Sequence, residues 1–437
     1  MPNCNAERIE FAPLKRRAVE AAFEGGDISS DAGVLLLRKL DRRLGLLDAV
    51  ARVLTDPRDP ERIEHTVGEM LKQRVFGLVQ GYEDLNDHTT LRNDVLMQTA
   101  CERDTALASA PTLCRLENRA TRSAAWAIHE VIVEKFIAGF KHAPEELVLD
   151  FDATDDPLYG KQEGRFFHGY YDSYCYLPLY VFCGEQLLVA YLRPSKIDGA
   201  KHAAAVLKLL VRRLRKAWPA VRIILRGDSG FCRRRMLAWC ERNAVGYCVG
   251  MAQNRRLNAM TEAQRQRLAR QFAQSGTKQR EFAELRYGAR TWKTERRVIA
   301  RLEHMDKGDN PRYIVTNLGT EARALYEELY CARGEMENRI KEAQLGLFAD
   351  RTSCHYFAAN QFRLLLSSLA YILTERLRAL ALAGTEFARL QAQTLRVKLL
   401  KIGAVILRNT RRVRVLLSSA FPYQAIFVAA ARALDSP

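Results

Sequence analysis

The sequence predicts a mixed α/β fold flanked by helical regions. Three observations carry that prediction. Strand-length apolar runs begin only near residue 146. They then follow the order strand, strand, strand, helix, strand, helix, strand, and the first three strands have no helix between them. Helical periodicity returns after Thr320. With 437 residues, 48% hydrophobic and 27% charged, the chain can bury a large core and has room for more than one domain.

In order, residues 31–54 read as one amphipathic helix that Ser30 or Asp31 can cap. Leu36, Leu37, Leu40, Leu44 and Leu47 recur at helical spacing. Asp56-Pro57 and Asp59-Pro60 break the chain. Helices are expected over about 61–80 and 112–140, with almost no strand signal before residue 145. Leu147-Val148-Leu149-Asp150-Phe151-Asp152 is then a buried strand ending in acids. Tyr176–Phe182 and Gln186–Leu192 form a hairpin about Gly184. A helix over about 198–216 leads to the strand Val221–Arg226, closed by Gly227-Asp228-Ser229-Gly230. A helix near 232–243 and a strand near 246–251 complete the run. Residues 252–320 are polar and basic, with a helix near 261–274 and strands at 280–287, 291–302 and 312–317. Helices follow over Leu325–Leu347 and Ala358–Leu382. Val397 and Leu399, then Val413 and Val415, alternate with Lys and Arg around Asn409-Thr410, which reads as a basic hairpin.

Composition narrows the function. There are 68 Lys+Arg against 51 Asp+Glu, a net charge of +17. Such a balance favours a polyanionic partner, nucleic acid first and a membrane surface second. No apolar run has the length of a spanning helix; Leu364–Thr374 is closed by Arg363 and Glu375. The start, Met1-Pro2-Asn3-Cys4-Asn5-Ala6-Glu7-Arg8, has no basic region followed by an apolar one, so no secretory signal is expected. Ten cysteines without a C-x-x-C pair imply reduced thiols, neither a disulfide scaffold nor a structural zinc site. Ten Lys/Arg and only one acid, Glu386, lie between Arg376 and Arg414, a stripe suited to phosphate neutralisation. A solvated face is the plainer reading of such a run; the global charge tilts it toward DNA.

Carboxylates stand where a mixed sheet would expose them. Asp150 and Asp152, two apart, share a strand face. Asp228 lies just past the next apolar strand, and ligand sites in open sheets lie outside the carboxyl ends of strands. Glu335, Glu337 and Glu342 lie on a later helix. Acids from two strand ends and one helix can bind two divalent cations, Mg²⁺ or Mn²⁺, for phosphodiester displacement. Each acid alone is equally a cap or an ion-pair partner, and Glu337–Lys341 has i,i+4 spacing. Spacing does not choose between Asp150 and Asp152, or between Glu335 and Glu337.

Tyr330-Cys331-Ala332-Arg333-Gly334-Glu335-Met336-Glu337 has the form Tyr, two residues, Arg, three residues, Glu. It resembles the signature of bacterial DDE insertion-sequence transposases of the "IS four" superfamily. Ile28–Arg38, Gly81–Asp87, Pro111–Asn118, Asp150-Phe151-Asp152-Ala153-Thr154 and Arg226–Phe231 extend the resemblance over about residues 28–425, nearest the "1380" group. The resemblance implies a ribonuclease-H-like core whose triad is Asp152, Asp228 and Glu337, with Asp150 the rival for the first place. It implies that Tyr330 and Arg333 grip phosphates. The family lysine, seven residues after the Glu, is Gln344 here; Lys341, one turn earlier, is the candidate substitute. It also implies a mainly β insertion carrying an aromatic that can stack on a base, for which Trp292 is the candidate. A core or edge-strand role is the alternative for Trp292, and a core aromatic for Tyr330. Arg233 and Arg234, close behind Asp228, are further DNA-binding candidates.

The expected organisation is a helical DNA-binding region over 1–143, the catalytic core over 144–251, the β insertion over 252–320, the core helix with the third acid over 321–357, and a basic C-terminal region over 358–437 serving DNA binding or dimerisation. The expected activity is cut-and-paste transposition by metal-dependent hydrolysis and strand transfer. The expected partners are double-stranded DNA, as terminal inverted repeats and target, and a second copy on that DNA, with no membrane; the expected place is the bacterial cytoplasm, at the nucleoid. A non-catalytic DNA-binding descendant and a metal-dependent nuclease of the same fold are the competing readings.

Overall fold

The structure, a computed structural model, describes residues 7–435. Most of the N-terminal stretch read for a signal, and Cys4 with it, lie outside the described residues. The chain divides into two compact units, one of Met1–Ala127, Leu345–Ala349 and Leu366–Pro437, the other of Ile128–Gln344 and Asp350–Leu365.

The second unit is built on a mixed sheet. Its long strands are β1 (Glu146–Ala153), β2 (Leu179–Cys183), β3 (Gln186–Tyr191), β4 (Arg222–Gly227), β5 (Gly246–Met251), β6 (Gln279–Tyr287), β7 (Arg296–Met305) and β8 (Arg312–Thr316). Across the sheet the order is β6-β7-β8-β5-β4-β1-β2-β3, with the short strand Gly308–Asp309 paired to β7. Strands β1, β4 and β5 are parallel, and β1, β2 and β3 form an antiparallel meander. The run β3-β2-β1-β4-β5 is the ribonuclease-H-like arrangement. Strands from the 252–320 stretch continue the same sheet, antiparallel, beyond β5.

The pattern of β1 explains its place. Leu147, Leu149 and Phe151 point into the main core with Leu179, Val181, Ile223 and Leu225. Asp150 and Asp152 therefore fall on the opposite face. The helix Ala203–Ala217 joins β3 to β4. Its Leu207, Leu210, Val211 and Leu214 are buried at helical spacing, while its basic residues complement the C-terminal end of the helix dipole. The helix Arg234–Arg242 joins β4 to β5. The hairpin turn at Gly184 takes a positive φ of 58°, which glycine adopts without a side-chain clash.

The first unit is helical, with small β-pieces. Sequence expectations for the helices and the exposed hairpins are corrected at several points. The single helix expected over 31–54 breaks into Val34–Leu44 and Leu46–Val53, because Gly45 turns left-handed (φ 55°). Asp31 does not cap it. Asp31 is buried, accepts a hydrogen bond from Tyr82 Oη (2.6 Å) and pairs with Lys401 Nζ (2.5 Å). Strands also exist before residue 145: Ile9–Leu14 pairs with Arg17–Ala21, fully exposed, so burial gave no pattern to detect. The basic hairpin forms, but as Ala404–Asn409 with Arg412–Leu417; Arg396–Leu400, which holds Val397 and Leu399, is a π-helical turn. The capping box Thr66–Glu69 starts Val67–Gln80 later than expected, and the helical stretch expected over 112–140 is split into Ala110–Asn118 and Arg122–Ala138.

The basic stretch of the sequence is used in two ways. Arg378 donates to Leu390 O, Arg396 to Val79 O and Gly346 O, and Lys401 to Asp31. Arg411, Arg412 and Arg414 remain exposed at the hairpin tip. No helix of the described residues is long and apolar enough to cross a membrane. The nine described cysteines are all unbridged.

Candidate active site

The carboxyl ends of β1 and β4 set the site. These strands are neighbours in parallel register, with Phe151 opposite Gly227, so Asp152 and Asp228 emerge side by side. Asp152 is held by one local contact, its Oδ1 accepting the Ala153 N–H at 3.0 Å. Asp228 caps the short 3-10 turn Ser229–Phe231, with Oδ1 accepting the Gly230 N–H at 2.9 Å. Neither acid is spent on a buried partner.

Asp150 has a different fate. Its two carboxylate oxygens bind Nε and Nη2 of Arg226, the residue opposite it on β4, and the pair is buried. Arg226 Nη1 also donates to Leu329 O at 2.6 Å, which fastens the segment leading to Tyr330 against the sheet.

That segment is wound irregularly. The helix expected over Leu325–Leu347 runs as a π-helical stretch Leu325–Tyr330, a 3-10 turn Cys331–Arg333, an α-helix Gly334–Lys341 and a second π-helical stretch Glu342–Gly346. Irregular turns of this kind recur at functional sites. Here they carry Tyr330, Arg333 and Glu337. Arg333 pairs with Glu337 through Nη2, and its Nη1 lies 3.7 Å from Asp152 Oδ2. Glu335 instead faces Arg339, which also binds Glu185.

Electrostatics tie the three acids together. Burial pushes the Asp152 carboxyl up to about 7; Asp228 and Glu337 push the same way, and Arg333 opposes them. Burial together with the charges of Asp155 and Asp152 pushes the Tyr171 hydroxyl up to about 12. Among the described residues, no three acidic, histidine or cysteine side chains are gathered tightly enough to grip a metal ion as they stand. The donor set still suits hard divalent cations: three carboxylates share one field, and one guanidinium is the cation that holds two of them.

Tyr330 is half-buried. Its ring lies 5.4 Å from Tyr326. Its hydroxyl rests against Gly250: a Cβ there would fall 2.6 Å from Tyr330 Oη, 2.8 Å from Ser229 N and 3.1 Å from Asp228 C. Glycine at 250 thus lets Tyr330 reach the turn that carries Asp228. Lys341 is exposed on the same helix, beyond Glu337. Gln344 donates to Asp155 O at 3.1 Å.

The remaining candidates have partners within the fold. Arg233 binds Asp198 (2.6 Å), and Arg234 donates to Thr291 O (2.7 Å). Trp292 packs against the main core, edge-on to Tyr287, with the Arg296 guanidinium 4.6 Å from its ring centre. Sequence reasoning missed the roles of Arg226 and Gly250. Only the Arg226 role had a signal, since an arginine inside an apolar strand needs a buried anion.

Comparison with known proteins completes the picture. The family model "Transposase DDE domain group 1" matches residues 11–436. A solved structure of the piggyBac transposase synaptic complex with hairpin DNA is similar over 94% of this chain and 83% of that one, at TM-score 0.42 and 9% identity. No curated protein matches the chain. The family match spans almost the whole sequence, so the chain belongs to the DDE transposases, enzymes of DNA cleavage and strand transfer.

Proposed function

We propose that the protein moves an insertion sequence by cut and paste, with Asp152, Asp228 and Glu337 as its catalytic triad. The observation that carries this assignment is their shared field: Asp152 feels both other acids, and Arg333 contacts Asp152 and Glu337. The third acid is Glu337, because Glu335 faces Arg339; the first is Asp152, because Asp150 is committed to Arg226.

Two divalent cations, Mg²⁺ or Mn²⁺, would be held by these three side chains and would supply activation of an attacking oxygen and neutralisation of the phosphate. The chain's own residues do the rest. Arg333, poised between two carboxylates, can turn its fork to a phosphate that enters the site. The Tyr330 hydroxyl, anchored over Gly250, can donate to a neighbouring phosphate oxygen. No covalent protein–DNA intermediate is needed, so Tyr330 binds and does not attack. Water, and later the freed 3′-OH, is the nucleophile.

In this reading the substrate is double-stranded DNA with terminal inverted repeats, and the second DNA is the target. Two ends must be cut together, so the working form is a homodimer on DNA. Lys341, Arg233, Arg234 and Trp292 are secondary DNA contacts. The regions 1–143 and 358–437 serve end recognition and dimerisation around the core at 144–251 and 321–357, with 252–320 as insertion. The order and spacing of the motifs, from Ile28–Arg38 to Tyr330–Glu337, support a bacterial element near the "1380" group of the "IS four" superfamily, working in the cytoplasm at the nucleoid.

The test is a supercoiled plasmid carrying the gene's flanking DNA, incubated with protein and Mg²⁺ or Mn²⁺ beside Asp228→Ala. Cleavage at defined flanking positions, lost in the variant, is the expected result. Binding without cleavage by the wild type would overturn the reading in favour of a non-catalytic descendant.

A further inference from the structure

Arg193, just past β3, is a buried arginine that no carboxylate pairs with among the described residues; it is 1% exposed. Its Nε donates to Leu177 O at 2.8 Å, and its Nη1 donates to Gly199 O at 2.9 Å and Lys201 O at 2.6 Å. Nη2 has no partner. Asp198 lies on the same stretch of chain but binds Arg233 instead. Burial pulls the guanidinium down to about 10, against the charges of Tyr191 and Asp198. A buried charge answered only by carbonyl oxygens is costly, and packing alone would favour an apolar side chain there.

What the fork holds is the loop 194–202, which runs from β3 to the helix Ala203–Ala217. Ser195 Oγ ties the start of the loop to Phe166 O at 2.9 Å. Arg233, from the turn that follows Asp228, ties its middle through Asp198 at 2.6 Å. Its end is strained: His202 takes a φ of 70°, uncommon outside glycine, and Arg193 grips the carbonyl just before it. Leu177 and Gly199, both held by the fork, share one cleft with Asp228 and Gly230. The loop is thus fixed at the edge of the site. Lys196 and Lys201 are exposed on it, and neither has an ion-pair partner among the described residues. The helix that follows has no acid in its first turn and no side-chain cap, so the positive end of its dipole adds to the two lysines. A corner of this charge suits a polyanion.

We propose that Arg193 is a positioning residue: it sets the loop 194–202 so that Lys196 and Lys201 contact backbone phosphates of the DNA strand that passes Asp228. The proposal rests on the transposase reading and deepens it by naming a phosphate grip on a loop separate from Tyr330 and Arg333. A lysine meets phosphate as a point charge on a flexible stem, so a fixed backbone beneath it decides what it can reach. Phosphate contacts set register without reading bases. The loop therefore aligns the strand and leaves the sequence of the ends to other surfaces.

The probe is a duplex of the gene's flanking DNA, held in EDTA so that it stays uncut. Lysine acetylation of the full-length protein, free and bound, is mapped by mass spectrometry. The expected result is loss of acetylation at Lys196 and Lys201 in the bound state. Affinity for the same duplex is measured across a salt series for wild type, the paired variant Lys196→Ala with Lys201→Ala, Arg193→Lys, and all three changes together. The paired variant should lower the slope of log affinity against log salt by about 2. Arg193→Lys keeps the charge but not the fork, so it should lower the slope by a similar amount. The three changes together should lower it no further. Partial unfolding changes the active concentration and leaves the slope alone, so a merely structural role gives Arg193→Lys the wild-type slope. That slope, an additive loss in the triple variant, or an Arg193→Lys chain that circular dichroism shows unfolded overturns the positioning role. The two lysines are exposed, so their variant folds and tests the contact in every case. Equal acetylation with and without DNA, or a wild-type slope in the paired variant, overturns the contact. Plasmid cleavage by the wild type in Mg²⁺ separates the two readings. Cleavage without protection of the lysines sinks the loop contact alone. Protection without cleavage supports the loop contact and sinks the catalytic reading.

Discussion

Arg226 and Asp150 stand opposite each other on adjacent parallel strands, and the guanidinium reaches both oxygens of the carboxylate. The contact separates two acids that sequence spacing leaves equivalent. Asp150 holds the sheet together, and Asp152, one pleat further on, is left for chemistry.

Removing either member of that pair leaves a buried charge without a partner. Arg226→Ala and Asp150→Ala should each destabilise by about 3–5 kcal/mol, seen as a lower midpoint in urea unfolding. Asp152→Asn removes a charge that burial disfavours, so it should unfold no earlier than the wild type, and it should lose cleavage. Equal stability of the Asp150 and Asp152 variants would refute the division of roles.

Gly250 predicts a steric effect. Alanine there would press on Tyr330 Oη and on the backbone at Asp228–Ser229. Overpacking of this kind costs about 1–3 kcal/mol. Cleavage by Gly250→Ala should fall further than cleavage by Tyr330→Phe, because the alanine also displaces the turn that aims Asp228. Nicking rates of the two variants decide the matter.

Asp41 predicts a pH dependence of stability. Burial raises its carboxyl from 3.8 to about 6, against the Leu47 N–H and Lys72. Between those values the folded chain binds the proton and the unfolded chain does not. Stability from this group is therefore present below pH 3.8, falls as pH rises toward 6, and stays low above it. Asp41→Asn can still accept the Leu47 N–H and carries no charge. It should raise stability by about 2 kcal/mol at pH 8 and by little at pH 4, as read by thermal melting at both values.

Chelation should split binding from cleavage. With EDTA present, the protein should retain DNA in a mobility shift and leave plasmid uncut; added Mn²⁺ should restore cutting to the wild type but not to Asp228→Ala. Cutting that survives EDTA would remove the metal from the mechanism.

The hairpin tip predicts a salt dependence. Replacing Arg411, Arg412 and Arg414 together by alanine should weaken DNA binding most at low salt. It should reduce the slope of log affinity against log salt by about 2–3, as expected if each arginine neutralises a phosphate. An unchanged slope would place the DNA on another surface.

Much of the fold was legible because its core elements obey simple periods. Strand β1 alternates core and acid, and Ala203–Ala217 buries a helical stripe. The exposed hairpin Ile9–Leu14 with Arg17–Ala21 was not legible, because neither face is buried and no alternation is imposed. The break at Gly45 was readable in principle from a glycine inside a helical pattern. The π-helical turns around Tyr330 were not, since they leave the residue pattern helical and change only the winding. Of the site, the acids at strand ends could be found. The choice between Asp150 and Asp152 could not, because it is made by Arg226 on a neighbouring strand distant in sequence.

The helical unit is assembled from segments far apart in the chain. Ile28–Ser29 pairs with Ala404–Val405, and Asp31 is neutralised by Lys401. During synthesis the early helices must therefore wait, with Asp31 unpaired, until the ribosome has passed residue 405. A chain halted earlier would hold all three acids of the triad but could not close this unit, whose edge strand and countercharge come from Ala404–Val405 and Lys401.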